Sequence, residues 1–278
     1  VSLKNIIIHT VLFIMFTLFM FSCTQKADAL IEKRLSGELV VEEIIKDCFL
    51  ITHSYPWPGN SLIVKLDQKD FIWIDTPYTP QATAMVLDWL YKKYGEHISI
   101  KEINTGFHID NLGGNQELKK RGIPIYGSTM TCKLLREKSK NTMQKFRNWL
   151  KAAEYKKYYD TYSNFIFIEP TIVFDLHREQ TIECGKEKVE IYYPGPTHTY
   201  DNITVYIPSK KLLFGGCMIL SQDADKTGFA EDGNVDEWPK SLRRVLQKYK
   251  EIEMVVPGHG KAGGRSLIQH TINIIEQS

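Results

Sequence analysis

The chain has 278 residues, enough for one large domain or two fused halves. Hydrophobic residues make up 43% of it, so a sizeable buried core is expected. The formal net charge is only +2, which excludes an electrostatic argument for nucleic-acid binding.

The first 23 residues form a distinct segment. Lys4 precedes an almost wholly apolar run over residues 6–21, and Ser22 and Cys23 follow it. A short basic start, an apolar stretch and a small residue before the cleavage point are typical of a secretory signal. The Ser22-Cys23 pair resembles the end of a bacterial lipoprotein signal, which predicts periplasmic export with Cys23 as the lipidated first residue. A plain cleaved signal and an uncleaved membrane anchor are the alternatives.

Residues 24–38 are polar and predict a tether, and the remaining pattern predicts one domain over residues 39–278. Apolar alternation and helical spacing predict, in order, strands over 39–41, 48–53, 61–66 and 70–74, a helix over 81–94, a strand over 98–104, a helix over 113–120 and a strand over 123–127. Residues 54–60 predict a loop with Trp57 at its tip. We expect this Trp either to cover a substrate or to pack onto its own domain.

A basic, aromatic segment over residues 128–165 predicts helices over 131–137 and 142–159. A surface helix with a buried stripe is the favoured interpretation, and a wall or lid beside a binding site is the alternative. The second half predicts strands of a second sheet over 165–168, 171–176, 180–182 and 189–193, a hairpin over 204–207 and 211–214, a loop over 221–236, a helix over 238–249, a strand over 254–256 and a helix over 266–276.

Five residues with metal-ligating side chains stand where apolar runs end, beside glycine: His108, Asp110, His198, Cys217 and His259. A lone histidine in such a setting is more often structural than ligating. Imidazole, thiolate and carboxylate groups together are the ligands that zinc prefers in proteins. Five of them at the ends of separate predicted strands therefore predict a zinc site.

These residues, in this order, resemble the motif of the metallo-β-lactamases, H-x-H-x-D followed by His, Cys and His, over about residues 39–275. The resemblance implies an α/β fold, a four-layer αβ/βα sandwich with the metal site along one edge between its two sheets. It also implies zinc-dependent hydrolysis of the β-lactam amide bond, carbapenems included, which would confer antibiotic resistance. Hydrolysis of another ester, thioester or lactone on the same fold is the alternative, and a degenerate binding protein with one structural zinc is a third.

The chain departs from the family pattern at three points. Gly106 stands where the family has its first His, and Leu220 stands where it has a Lys that binds the substrate carboxylate. The long helix over 138–165 resembles that of the mono-zinc subclass. The resemblance therefore implies one tight zinc at Asp110, Cys217 and His259, and a second, weaker zinc at His108 and His198.

The resemblance also implies roles for individual residues. His108, His198 and Asp110 are the expected catalytic residues, because they hold and deprotonate the attacking water. Asn234, Lys226 and Trp57 are the expected substrate contacts, with Lys226 as a substitute for the missing Lys. The expected partner is a small β-lactam substrate, and the protein is expected to be a monomer. No nucleic acid is expected to bind, and no membrane contact is expected beyond the N-terminal lipid.

Overall fold

The computed structural model describes residues 30–277, with side chains described from residue 33. The leader expected over residues 1–23, including Cys23, lies outside this range. Between residues 30 and 277, no helix is long and apolar enough to cross a bilayer.

Eight strands form the first sheet, in the order β1 to β8. They are β1 (Leu30–Arg34), β2 (Leu39–Ile45), β3 (Cys48–Ser54), β4 (Pro58–Lys65), β5 (Asp70–Ile74), β6 (Ser99–Ile103), β7 (Ile125–Ser128) and β8 (Ile172–Phe174). The strands from β1 to β5 pair antiparallel, and those from β5 to β8 pair parallel. Parallel neighbours need a crossover connection, which is why helices begin to appear in the chain after β5.

Five strands form the second sheet, in the order β13-β12-β11-β10-β9. They are β9 (Gln180–Cys184), β10 (Glu187–Tyr192), β11 (Thr204–Ile207), β12 (Leu212–Gly216) and β13 (Met254–Pro257). β9 to β12 pair antiparallel, and β12 and β13 pair parallel. β10, β12 and β13 therefore run in one direction, and their carboxyl ends meet at the same edge of the sheet.

The helices of the described chain are α1 (Pro80–Tyr94), α2 (Ile109–Leu112), α3 (Asn115–Lys120), α4 (Thr129–Trp149), α5 (Lys156–Tyr159), α6 (Trp238–Lys248) and α7 (Ser266–Gln277). Side-chain caps set where two of them begin. Thr79 Oγ1 accepts a hydrogen bond from Ala82 N at the start of α1, and Ser128 Oγ accepts one from Thr131 N at the start of α4. Such caps satisfy backbone N–H groups that the first turn of a helix leaves without partners.

Alternation along the strands divides the core into layers. In β3, Leu50 packs between the two sheets, whereas Phe49 and Ile51 on the opposite face pack against α1. The second sheet repeats this arrangement, because Val205 and Phe214 face the first sheet while Leu213 packs against α6 and α7. Helices thus cover both outer faces of the paired sheets, and the predicted four-layer αβ/βα sandwich is confirmed.

Three predictions about secondary structure were wrong. Residues 24–38 are not a tether throughout, since Leu30–Arg34 pairs with β2 through its backbone. Leu30 and Ile31 are followed by three charged residues, so the segment gave no apolar alternation from which to predict a strand. Residues 171–176 do not join the second sheet: Ile172–Phe174 extends the first sheet beside β7, and residues 165–168 form no strand. Alternation marks a strand but does not say which sheet it joins.

Element boundaries also differ. Gly59 and Asn60 pair with β3, so the predicted loop over 54–60 is shorter. The expected helix over 113–120 begins only at Asn115, and a separate short helix, α2, precedes the two glycines. The two helices expected between 131 and 159 are one continuous helix that ends at Trp149, followed by the short α5.

Asn60 ties the two sheets together at the edge where β13 ends. Its Nδ2 donates to the carbonyl oxygens of Pro257 (2.9 Å) and Gly260 (2.7 Å), on either side of the loop that carries His259. Asn60 is only 3% exposed, so removal of its side-chain amide would leave these two carbonyl groups without that donor.

We therefore expect Asn60→Ala to lower the free energy of unfolding by about 1–3 kcal/mol, as is typical when a buried polar group loses its partner. Urea denaturation measures this. The exposed amide of Gln68 provides a control, and Gln68→Ala should change stability by less than about 0.5 kcal/mol. Equal stability of the two variants would contradict the role assigned to Asn60.

Candidate metal centre

His108 and Asp110 lie where β6 passes into α2. His108 precedes the helix with an extended backbone, and Asp110 lies in its first turn. Asp75, at the end of β5, holds this loop in place, because its carboxylate accepts from Thr105 N (2.7 Å), Thr105 Oγ1 (2.6 Å) and Asn111 Nδ2 (2.9 Å). Burial raises the pKa of Asp75 to about 8 despite these donors.

Asp110, Cys217 and His259 converge, although more than a hundred residues separate the first from the other two. Cys217 Sγ lies 3.1 Å from Asp110 Oδ2 and 3.9 Å from His259 Nε2. His259 Nε2 lies 3.1 Å from Asp110 Oδ2. One ligand atom from each residue thus falls within 4.8 Å of the others, so the three could hold a single metal ion.

The charges of this cluster favour a cation at its centre. Burial tends to raise the pKa of Asp110, but the hydrogen bond and charge of His259 hold it well below its usual value. Burial and the neighbouring Asp110 charge raise the pKa of the Cys217 thiol well above its ordinary range. A divalent cation would reverse this effect, because coordination deprotonates a thiol outright. A carboxylate, a thiolate and an imidazole fit tetrahedral zinc with one position left open.

Two loops must approach closely for Cys217 and His259 to meet. Gly258 N donates to Gly216 O at 2.7 Å, and a Cβ at Gly258 would lie 2.7 Å from Cys217 N. Only glycine therefore fits at this crossing. The other imidazole nitrogen of His259 contacts Pro58 O at 2.7 Å, which leaves Nε2 directed at the cluster. A backbone carbonyl in this role commonly orients a ligand histidine.

His108 and His198 form a separate pair beside the cluster. Their ring centres are 5.1 Å apart, and Phe229 contacts both rings, at 5.8 Å from His108 and 6.2 Å from His198. His108 Nε2 lies 3.1 Å from Asp232 Oδ2, and Asp232 Oδ1 accepts from Lys138 Nζ at 3.1 Å. The hydrogen bond with His108 lowers the pKa of Asp232 to about 2.

Burial, reinforced by the neighbouring His108, lowers the pKa of His198 to about 3. His198 is therefore neutral at neutral pH and offers a lone pair rather than a positive charge. His108, by contrast, has the carboxylate of Asp232 within hydrogen-bond distance of its Nε2. The two imidazoles thus differ in chemistry although they share one aromatic neighbour.

A cavity of about 370 Å³ opens over both groups of ligands. One wall is the face of α4 that carries Thr142, Lys145, Phe146 and Trp149, and the opposite wall includes Phe229. This supports the alternative interpretation of the segment as a wall beside the site, although the helix also buries Leu134 and Leu135 nearer its start. The size of this cavity and its largely apolar lining with a few polar groups are typical of sites that bind small molecules.

The expected substrate contacts fall in different places. Trp57 and Lys226 line the cavity, and Trp57 also packs edge-on against Phe146 at 5.7 Å between ring centres. Asn234 does not line it, since its Oδ1 accepts from Glu237 N (3.0 Å) in the turn that begins α6. Leu220 lines the cavity as an apolar residue.

Sequence reasoning missed Asp232, Phe229 and Lys145. All three act through contacts between α4 and the loop over 221–236, which are distant in the chain. A signal was available in α4, because positions 138, 142, 145 and 149 share one helical face and carry Lys, Thr, Lys and Trp. Nothing local in the loop distinguished Asp232 from its acidic neighbours.

With this geometry established, comparison with known proteins identifies the class. The sequence profile of the Metallo-beta-lactamase superfamily matches residues 54–259, so the chain belongs to this superfamily. It is similar to the metallo-beta-lactamase type 2 of Bacillus sp. (strain 170), with 28% identity over 258 residues, 91% of this chain and 88% of that protein. The metallo-beta-lactamase type 2 of Bacillus cereus is 30% identical over 219 residues, 79% of this chain and 73% of that protein.

A solved structure of the DIM-1 metallo-beta-lactamase matches with a TM-score of 0.71 and 28% identity, over 86% of this chain and 98% of that one. The similarity therefore extends over the whole sandwich, including the edge that carries the ligands.

Gly106 occupies a crowded position. A Cβ there would lie 2.7 Å from Asn202 Nδ2 and 2.9 Å from Asn111 Oδ1. Both amides are held: Asn202 Oδ1 accepts from Thr199 N at 2.8 Å, and Asn111 Nδ2 also approaches Cys217 Sγ at 3.8 Å. A histidine at this position would have to displace both amides before its imidazole could serve as a ligand.

We expect Gly106→Ala to lower the free energy of unfolding by about 1–3 kcal/mol, which is typical of overpacking a buried position. Gly37→Ala is the matched control, since nothing lies within 4 Å of a Cβ there. It should leave stability unchanged or slightly higher. Thermal and urea denaturation of both variants measure the difference. An unchanged free energy of unfolding for Gly106→Ala would show that the two amides can move aside at no cost.

Proposed function

We propose that the protein is a zinc-dependent hydrolase of the β-lactam amide bond, with activity on carbapenems that confers resistance. The observation that supports this most directly is the Asp110-Cys217-His259 cluster at the base of an apolar cavity. The names of the related proteins support the same reaction. The proposed cofactor is one tight zinc held by this cluster, with a second, weaker one near His108 and His198.

Zinc, when bound, supplies a Lewis acid and lowers the pKa of a water molecule to about 7. The residues of the chain do the rest. His198, neutral because its pKa is about 3, accepts a hydrogen bond from the attacking water. His108 takes the proton of that water, and Asp232 stabilises the resulting imidazolium through its contact with Nε2. Asp110, two residues after His108 in the chain, would be one of the residues that hold the zinc, together with Cys217 and His259.

The proton then has to reach the amide nitrogen as the ring opens. General acid–base transfer of this kind needs the base to lie within hydrogen-bond reach of the reacting group. The cavity suits it, because His108, His198 and the cluster line one surface. Trp57 is the proposed apolar contact for the substrate, and Lys226 is one of two candidate cations for its carboxylate.

Hydrolysis of another ester, thioester or lactone is the second candidate. Leu220 favours it, since an apolar side chain lines the cavity where the resemblance implies a carboxylate-binding Lys. Cys217 in the ligand cluster favours the β-lactamase.

Purified protein tests the proposal against imipenem, a penicillin and a simple thioester. We expect hydrolysis of both β-lactams, loss of activity with a chelator and recovery with Zn²⁺, and one zinc per chain retained during dialysis.

Cys217→Ser should weaken zinc binding at least about 10-fold, because even groups that only support a ligand contribute 10- to 100-fold. Cys132→Ser, another buried thiol, is the control and should retain its zinc. Hydrolysis of the thioester alone would select the second candidate.

We also propose periplasmic export with a lipid on Cys23, and this proposal rests on the leader sequence alone. The proposed monomeric state rests on the family resemblance. Labelled palmitate should appear in the wild-type protein and not in Cys23→Ala. Release of unlabelled wild-type protein into the periplasm would support a plain signal instead.

A further inference from the structure

A substrate carboxylate needs a cation in this cavity, and Leu220 cannot provide one. Among the described residues that line the cavity, the lysines are Lys145 on α4 and Lys226 on the loop over 221–236. The two differ in how they are held. Lys226 is exposed and forms no ion pair or hydrogen bond within the part of the chain that the structure describes. Ordering such a free side chain on binding costs conformational entropy.

Lys145 is already held over the site. Its Nζ lies 2.7 Å from Glu231 Oε2 and 5.9 Å from the centre of the Phe229 ring. Phe229 in turn contacts the rings of His108 and His198. Lys145 therefore lies close to the same aromatic ring that borders the proposed base.

The neighbours of Lys145 on α4 fix its position. Phe146 is buried, and Trp149 packs against Phe229 with ring centres 5.4 Å apart. The helix is also tied to the opposite loop by the Lys138–Asp232 pair at 3.1 Å. These contacts fix the helix that carries Lys145 beside the cavity, which favours a preorganised binding group.

Glu231 does not line the cavity, and its carboxylate is the group that a substrate carboxylate would have to replace at Lys145 Nζ. Its side chain is 68% exposed, so it can return to water when another anion binds Lys145. Exposed ion pairs contribute little, whereas a charge-assisted hydrogen bond in a water-poor cavity is stronger. Exchange of Glu231 for a substrate carboxylate is therefore favourable once the apolar part of the substrate covers the pair.

We propose that Lys145, and not Lys226, binds the carboxylate of the substrate, and that Glu231 competes with that carboxylate for it. The inference rests on the proposed β-lactamase function and names its substrate class. The substrate is a β-lactam that carries a free carboxylate at one end and an apolar face that lies against Trp149 and Phe229.

The test compares a penicillin with its carboxyl methyl ester, using zinc-loaded enzyme. Lys145→Met keeps most of the side-chain length without the charge. We expect it to raise KM for the free acid about 10- to 100-fold with kcat nearly unchanged, the pattern of a lost binding contact, and to leave KM for the ester unaltered. Lys145→Arg should restore KM for the acid. Glu231→Gln should lower KM for the acid about 2- to 5-fold, because an exposed competitor is removed.

Lys140→Met, on another face of α4, is the control for charge loss from the helix and should change neither KM. Urea denaturation of each variant separates misfolding from lost binding. An equal rise in KM for acid and ester in Lys145→Met would overturn the proposal. So would a rise in KM with Glu231→Gln, or a carboxylate-specific rise with Lys226→Met in place of Lys145→Met.

Calorimetric binding of the ring-opened penicillin gives a readout that needs no turnover. Failure of the wild-type protein to hydrolyse either substrate would refute the proposed function. The titration would still test whether Lys145 binds the carboxylate. Weaker binding of the product by Lys145→Met, with unchanged binding by Lys140→Met, supports the inference. Equal binding by all three proteins would refute it.

Discussion

The contact of a carboxylate, a thiol and an imidazole within 3.1–3.9 Å of one another is the constraint on which the rest of the site depends. Burial makes this arrangement costly without a cation, because Asp110 opposes ionisation of Cys217. The fold supports it with backbone contacts at the common edge of both sheets. Gly258 joins the end of β13 to the end of β12, and Asn60 joins the His259 loop to the first sheet.

Around this centre, α4 and the loop over 221–236 form one unit. Two ion pairs cross the gap, Lys138 to Asp232 and Lys145 to Glu231, with Phe229 and Trp149 in contact between them. The pairs differ in burial, since the Asp232 side chain is only 10% exposed whereas that of Glu231 is 68% exposed. The buried pair orients His108, and the exposed pair can open to a ligand. One helix thus contributes to the proposed chemistry and to the proposed substrate binding.

The two groups of ligands are unequal, and packing explains why. The cluster with Cys217 has three donors, whereas the pair of His108 and His198 has none at position 106 to complete it. The space there is taken by the amides of Asn111 and Asn202. Asn111 also approaches the Cys217 sulfur, so the residue that fills the incomplete position also supports the complete one.

Local sequence patterns and the family resemblance predicted most of the architecture and the three residues that converge, Asp110, Cys217 and His259. Alternation in β3 and helical spacing in α1 reflect which side chains are buried, and a ligand such as His259 is marked by its own strand end and glycines. Tertiary structure alone decided which sheet receives Ile172–Phe174, that Asn234 holds the turn before α6 while Phe229 lines the cavity, and that Asp232 meets His108. These outcomes depend on groups that are distant in the chain and come together only in the packed molecule, so no local pattern encodes them.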